Sequence, residues 1–98
     1  MKVDNRVILQ QIGIWNVGAI SGGRVIGRES GITLPVSNGY SVEVDLASDD
    51  SYTVKRVFSR SGKRTEYVLQ GIYCENVGEI AYQASCFRNR EFGQKVSA

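Results

Sequence analysis

The 98-residue chain contains no histidine, two cysteines, one proline and one tryptophan. Without histidine, the commonest general base, the usual activator of serine and cysteine nucleophiles and the commonest metal ligand are all missing, which excludes hydrolase triads of the usual kind. Cys74 and Cys86 stand twelve positions apart with no second pair. That spacing gives neither a zinc site nor an oxidoreductase motif, and both are read as free thiols. No catalytic, metal-binding or cofactor-binding residue is assigned. No apolar run approaches the roughly eighteen residues of a membrane span, and the charges of Lys2, Asp4 and Arg6 interrupt any signal-peptide core. A cytoplasmic protein without a membrane partner is expected. The length suits a single domain over 1–98, with 1–4 and 89–98 expected as frayed tails.

Apolar side chains make up 42% of the sequence and charged ones 22%, values ordinary for a globular domain. Twenty valines and isoleucines against four leucines favour strands over helices. Tyr40, Val42, Val44 and Leu46 alternate with Ser41, Glu43, Asp45 and Ala47, the clearest strand in the chain. Upstream, Ile32, Leu34 and Val36 alternate with Thr33, Pro35 and Ser37. A two-residue Asn38-Gly39 turn would pair Leu34 with Glu43 and mix apolar and charged groups on one face. A three-residue loop, Ser37-Asn38-Gly39 with Gly39 left-handed, instead pairs Val36 with Tyr40 and Leu34 with Val42. The same parity matches Leu46 to Tyr52 across a five-residue loop containing Asp49 and Asp50, and reads that acidic pair as turn formers. A turn at Ser61-Gly62 then aligns Phe58 with Thr65, Arg56 with Tyr67 and Val54 with Leu69. A four-strand antiparallel meander over roughly 32–73 follows, and a hairpin of 17–20 with 24–28 through Ser21-Gly22-Gly23 would add two strands.

A sheet apolar on one face needs a cover. Val77, Ile80, Ala81, Ala84 and Phe87 fall at helical spacing, with Asn76 as cap and Glu79 three residues on, predicting a helix over about 76–86 weakened by Gly78. Residues 5–12 fit either a short helix ended by Gly13 or a strand. The expected fold class is α+β: an antiparallel β-meander of about four to six strands, a C-terminal helix packed on one face, and a short N-terminal helix as an option. Trp15 is expected in the core, although aromatic anchors also serve interfaces.

Net charge is +2 but unevenly spread: residues 24–50 sum to −3, 51–65 to +5 and 66–86 to −3. Lys55, Arg60, Lys63 and Arg64 form the candidate binding surface, since a basic hairpin beside Tyr52, Phe58 and Tyr67 can track phosphates and stack bases. The competing reading is a solvated hairpin. Alternation turns Lys55 outward and Arg56 inward, where Arg56 can stack on Tyr67, and the isoelectric point of 8.7 is below the usual nucleic-acid footprint. Ser21-Gly22-Gly23-Arg24 is read as a turn, because a phosphate loop would lead into a helix rather than toward the strand-like Val25-Ile26.

Several segments together carry a resemblance: Ile8-Leu9-Gln10-Gln11-Ile12-Gly13, Ala19-Ile20-Ser21-Gly22-Gly23-Arg24, Leu34-Pro35-Val36-Ser37-Asn38-Gly39-Tyr40, Tyr52-Thr53-Val54, Arg56-Val57-Phe58, and Tyr73-Cys74 through Val77-Gly78-Glu79 to Ala84-Ser85-Cys86-Phe87. Over about 8–88 the chain resembles small uncharacterised proteins of actinobacteria and their phages. The resemblance implies a phage or mobile-element context and carries no residue role with it. Small phage proteins without catalytic apparatus often act by stoichiometric binding, anti-CRISPR inhibitors being one class. The first expectation is therefore a non-enzymatic protein that occludes a host protein or nucleoprotein, and the second a nucleic-acid-binding module using the hairpin 55–64. An enzyme built on carboxylates or a lysine ranks third. A homo-oligomer paired through a strand edge is a further option.

Overall fold

Alternation of apolar and polar residues, clearest over Tyr40–Leu46, produces one antiparallel sheet in the computed structural model, which describes residues 4–88 and 91–97. Its six strands run in chain order: β1 (Ile26–Gly27), β2 (Gly31–Pro35), β3 (Tyr40–Leu46), β4 (Tyr52–Arg60), β5 (Lys63–Ile72) and β6 (Gln94–Ser97). Three helices, α1 (Asn5–Ile12), α2 (Ile14–Ser21) and α3 (Cys74–Ser85), cover one face. Ile32, Leu34, Val42, Val44 and Val54 of that face form one core with Ile8, Ile12, Val17, Ile20, Val77 and Ala81 of the helices. Fully burying each such side chain contributes roughly 1.5–3 kcal/mol, so this layer contact holds the fold together.

The meander registers follow the parity of the sequence. Leu34 pairs with Val42, Leu46 with Tyr52, Phe58 with Thr65, Arg56 with Tyr67 and Val54 with Leu69. The first turn closes as a three-residue loop, with Val36 N donating to Tyr40 O at 3.0 Å and both Asn38 and Gly39 left-handed. Between Tyr52 and Val54 the register shifts, and Gly71 at φ 71° supplies the extra β5 residue of a bulge.

Four expectations are corrected. Residues 17–20 are not a strand: they lie in α2, where Val17, Ile20 and Ser21 recur at three- and four-residue spacing and are buried. Left-handed Gly22 ends this helix, and the Gly22 N–H donates to Gly18 O. The expected strand 24–28 shrinks to β1 and pairs with β2. The C-terminal helix begins at Cys74, two residues before Asn76, and its cap position is Tyr73, without a side-chain cap bond. Within the tail expected to fray, Gln94–Ser97 extends the sheet by pairing with Thr65–Val68 of β5; residues 89, 90 and 98 of that tail lie outside the described residues. At the other end, residues 1–3 also lie outside them, while Asp4 caps α1 by accepting from Arg6 N at 3.0 Å. Among the described residues no helix is long and apolar enough to cross a membrane.

Candidate functional site

The five cations of residues 51–65 go to three different places, because strand alternation divides them between faces. Arg56 points under α3. It is 5% exposed, its Nε donates to Ala84 O at 2.6 Å and its Nη2 to Gln83 O at 3.0 Å. Its guanidinium lies 5.5 Å from the Phe92 ring centroid, so the cation–π partner is Phe92 rather than the expected Tyr67. Burial holds the Arg56 pKa below the ordinary arginine value.

Lys55 and Arg64 occupy the helix-free face of the sheet. Arg64 Nη2 lies 2.9 Å from Glu43 Oε2 and its Nε 2.7 Å from Glu66 Oε2, while Lys55 Nζ lies 3.6 Å from Glu66 Oε1. Two cations and two carboxylates thus form a neutral network from β3 to β5, and Val57, on the same face of the intervening β4, is only 1% exposed. Arg60 and Lys63 pair at the exposed hairpin tip. The candidate surface Lys55, Arg60, Lys63 and Arg64 is therefore one hairpin with two exposed cations at its end and two ion-paired ones at its base.

The hydrogen bond from Arg64, then the charge of Lys55, hold the Glu66 carboxyl below its ordinary value of 4.5. A depressed folded-state pKa contributes stability that is present above the unfolded value and lost as pH falls through the folded one. The chain is accordingly expected to lose stability progressively as pH drops below 4.5, with a contribution from Glu66 under about 1 kcal/mol because the network is partly solvated. Urea titrations of wild type and Glu66→Gln between about pH 5 and about pH 3 test this; parallel curves would remove the role assigned to the network.

A mixed crevice of about 340 Å³ lies beside Arg56, lined by Tyr40, Tyr67, Phe87, Glu91, Phe92 and Lys95 among others. Tyr40 stacks on Phe87 with centroids 4.0 Å apart and planes 8° from parallel, and it tilts against Phe58 at 4.7 Å. These contacts anchor the segment after α3 to the sheet. Asp49 Oδ1 is engaged within its own turn, accepting from Ser51 N at 3.1 Å and Ser51 Oγ at 2.6 Å.

Among the described residues the two most exposed large hydrophobic side chains lie elsewhere, on α2. Trp15 is 88% exposed and Ile14 82%, overturning the expectation that Trp15 fills the core. The reason is helical phase: with Val17, Ile20 and Ser21 turned inward, Ile14, Trp15, Gly18 and Ala19 face outward. Two shallow grooves lie along this surface. One of about 760 Å³ is lined by Arg6, Leu9, Gln10, Ile14, Val17, Gly18, Gly22, Gly23 and Val25, the other, of about 480 Å³, by Ile14, Trp15, Gly18 and Ala19. From Gly13 to Gly23 there is no charged residue. That uncharged run was legible in the sequence and is the signal that the strand reading of 17–20 concealed.

These features define an α+β protein with an exposed apolar helix face. Comparison of the chain with protein-family models, with curated proteins and with solved structures finds no match in any of the three.

Proposed function

We propose that this is a non-enzymatic binding protein that covers a site on another protein, with α2 as the contact helix. Trp15 carries this reading. A tryptophan held 88% exposed beside Ile14 leaves apolar area in water that a partner would bury, and buried tryptophans dominate interface energies. The partner's complementary surface is an apolar, uncharged groove, since α2 offers no charge to pair. In the phage or mobile-element context that the resemblance implies, the covered partner is a host or defence protein in the cytoplasm, as for anti-CRISPR inhibitors.

A second reading, direct nucleic-acid binding, is favoured by one observation: Arg60 and Lys63 stand exposed at the tip of the β4–β5 hairpin. It is ranked lower because Lys55 and Arg64 are held by Glu43 and Glu66. Affinity capture from host-cell extract, followed by reconstitution with the purified partner, separates the two. Wild type and the Arg60→Glu/Lys63→Glu variant are expected to retain the same protein in a one-to-one complex, and Trp15→Asp to bind it at least a hundredfold more weakly, as for a central hot spot worth about 3 kcal/mol. Undiminished binding by Trp15→Asp sinks the proposal, and salt-sensitive retention of DNA or RNA that the hairpin variant loses would establish the second reading.

A further inference from the structure

We propose that Asn38 is a site of self-modification, at which the carboxamide is converted without an enzyme to aspartate and isoaspartate, and that the isoaspartyl form opens the β2–β3 turn. The proposal concerns this turn and is independent of the role of α2.

The chain has five asparagines, and only Asn38 is followed by glycine. The backbone nitrogen after an asparagine can attack the side-chain carbonyl carbon, and a side chain on that next residue obstructs the approach. Gly39 presents none. Asn38 and Gly39 are both exposed, and the peptide unit between them is unrestrained: among the described residues neither Asn38 O nor Gly39 N makes a hydrogen bond, and the Asn38 carboxamide makes none. The other described asparagines are held. Arg6 N, after Asn5, donates to Asp4 Oδ1 at 3.0 Å, and Val17 N, after Asn16, donates to Gly13 O at 3.0 Å. Asn76 lies within α3 and precedes the buried, β-branched Val77.

The fold itself demands the labile pair. Gly39 is left-handed at φ 84°, and a Cβ there would come within 2.7 Å of Ser59 O and 3.3 Å of the Phe58 ring. Asn38 is left-handed at φ 55°, where asparagine is one of the few side chains that sit readily. The residues that build the turn are therefore the residues that react.

In the first step Gly39 N gives up its proton to base and bonds to Asn38 Cγ. The Cγ–Nδ2 bond breaks, and Nδ2 takes a proton and leaves as ammonia, which closes a cyclic imide. Water then adds to either imide carbonyl and breaks its bond to nitrogen. One opening gives aspartate; the other gives isoaspartate, with the main chain routed through Cβ. One water is consumed and one ammonia released, with no change of oxidation state. Isoaspartate lengthens by one carbon a loop closed by Val36 N to Tyr40 O at 3.0 Å and Tyr40 N to Ser37 O at 2.9 Å. The longer loop cannot keep both bonds, and Tyr40 is the residue that stacks on Phe87.

The test is incubation of the full folded chain for several weeks at body temperature and mildly alkaline pH, read by intact mass, peptide mapping and enzymatic methylation of isoaspartate. Wild type is expected to gain about 1 Da at residue 38, the difference between a carboxamide and a carboxylic acid. Conversion there should be on the order of tenfold or more faster than at Asn16 or Asn76. It should quicken as pH rises, because the attacking nitrogen must lose its proton. Asn38→Gly suits the left-handed turn and should show no gain in the turn peptide. The purified isoaspartyl form is expected to melt about 4–8 °C below wild type, as for loss of one backbone hydrogen bond. Freshly prepared Asn38→Asp, which has the added charge on an ordinary backbone, should melt within about 2 °C of wild type. Peptide mapping locates the change in wild type itself, so the result does not depend on a variant folding. An unchanged residue 38, conversion confined to chain unfolded in urea, or an equal mass gain in Asn38→Gly overturns the site. An isoaspartyl form that melts together with wild type overturns the opening of the turn.

Discussion

Arg56→Ala is expected to destabilise the protein by about 3–5 kcal/mol, because it removes two hydrogen bonds from a charged donor at about 1.5–3 kcal/mol each. Two effects add. The substitution takes the guanidinium donor from the buried Ala84 O, and a buried carbonyl stripped of a partner costs about 1–3 kcal/mol; from Gln83 O it removes one donor, leaving the Cys86 N–H at 3.1 Å. It also withdraws a cation from the C-terminal end of α3, where the helix dipole favours positive charge, and from the face of Phe92. For a chain of this size each kcal/mol shifts the melting temperature by about 4–8 °C, so a fall of at least about 12 °C should appear in a circular dichroism melt. Arg56→Lys should recover little, because an ammonium is a single point and cannot span two carbonyls as the planar fork does. A melt within a few degrees of wild type for Arg56→Ala would show that the guanidinium is incidental to the docking of α3.

Gly78→Ala is expected to cost about 1–3 kcal/mol, the usual range for overpacking, although Ala is the better helix former by about 1 kcal/mol. A Cβ at residue 78 would overlap the backbone oxygen of Ile12 and crowd Asn16 Nδ2, which itself donates to Ile12 O at 2.9 Å. The obstacle is backbone, so it yields only if α1 and α3 move apart, opening the core around Ile8, Ile12 and Val77. Gly18→Ala provides the contrast. With nothing within 4 Å of its Cβ, that change should stabilise by about 1 kcal/mol through helix propensity alone. Urea denaturation of both variants should give shifts of opposite sign; a stabilising Gly78→Ala would mean that the helices do not cross there.

The central sheet was readable because one period governs it. Once Tyr40, Val42, Val44 and Leu46 define a face, moving any neighbouring strand by one residue would turn its own apolar row to water, so the meander has one acceptable register. The helices were less readable. Val17 and Ile20 are compatible with a strand or a helix, and α1 and α2, at eight residues each, are too short to be stable without the core they pack on. Gln94–Ser97 reads as polar tail, since pairing with an open sheet edge uses backbone groups that no side-chain pattern announces.

The candidate site divides in the same way. The +5 block at 51–65 is a property of the sequence, but its partition is not: Glu43 reaches Arg64 across 21 positions and Ala84 reaches Arg56 across 28. The exposure of Trp15 depends on which way α2 rolls against β2 and α3. Composition and alternation by themselves determined a one-sided antiparallel meander with a helix over it, because burying an alternating apolar row is a local demand with one solution. Only the tertiary structure decided which charges are neutralised and which aromatic ring faces water, because both depend on contacts between residues far apart in the chain.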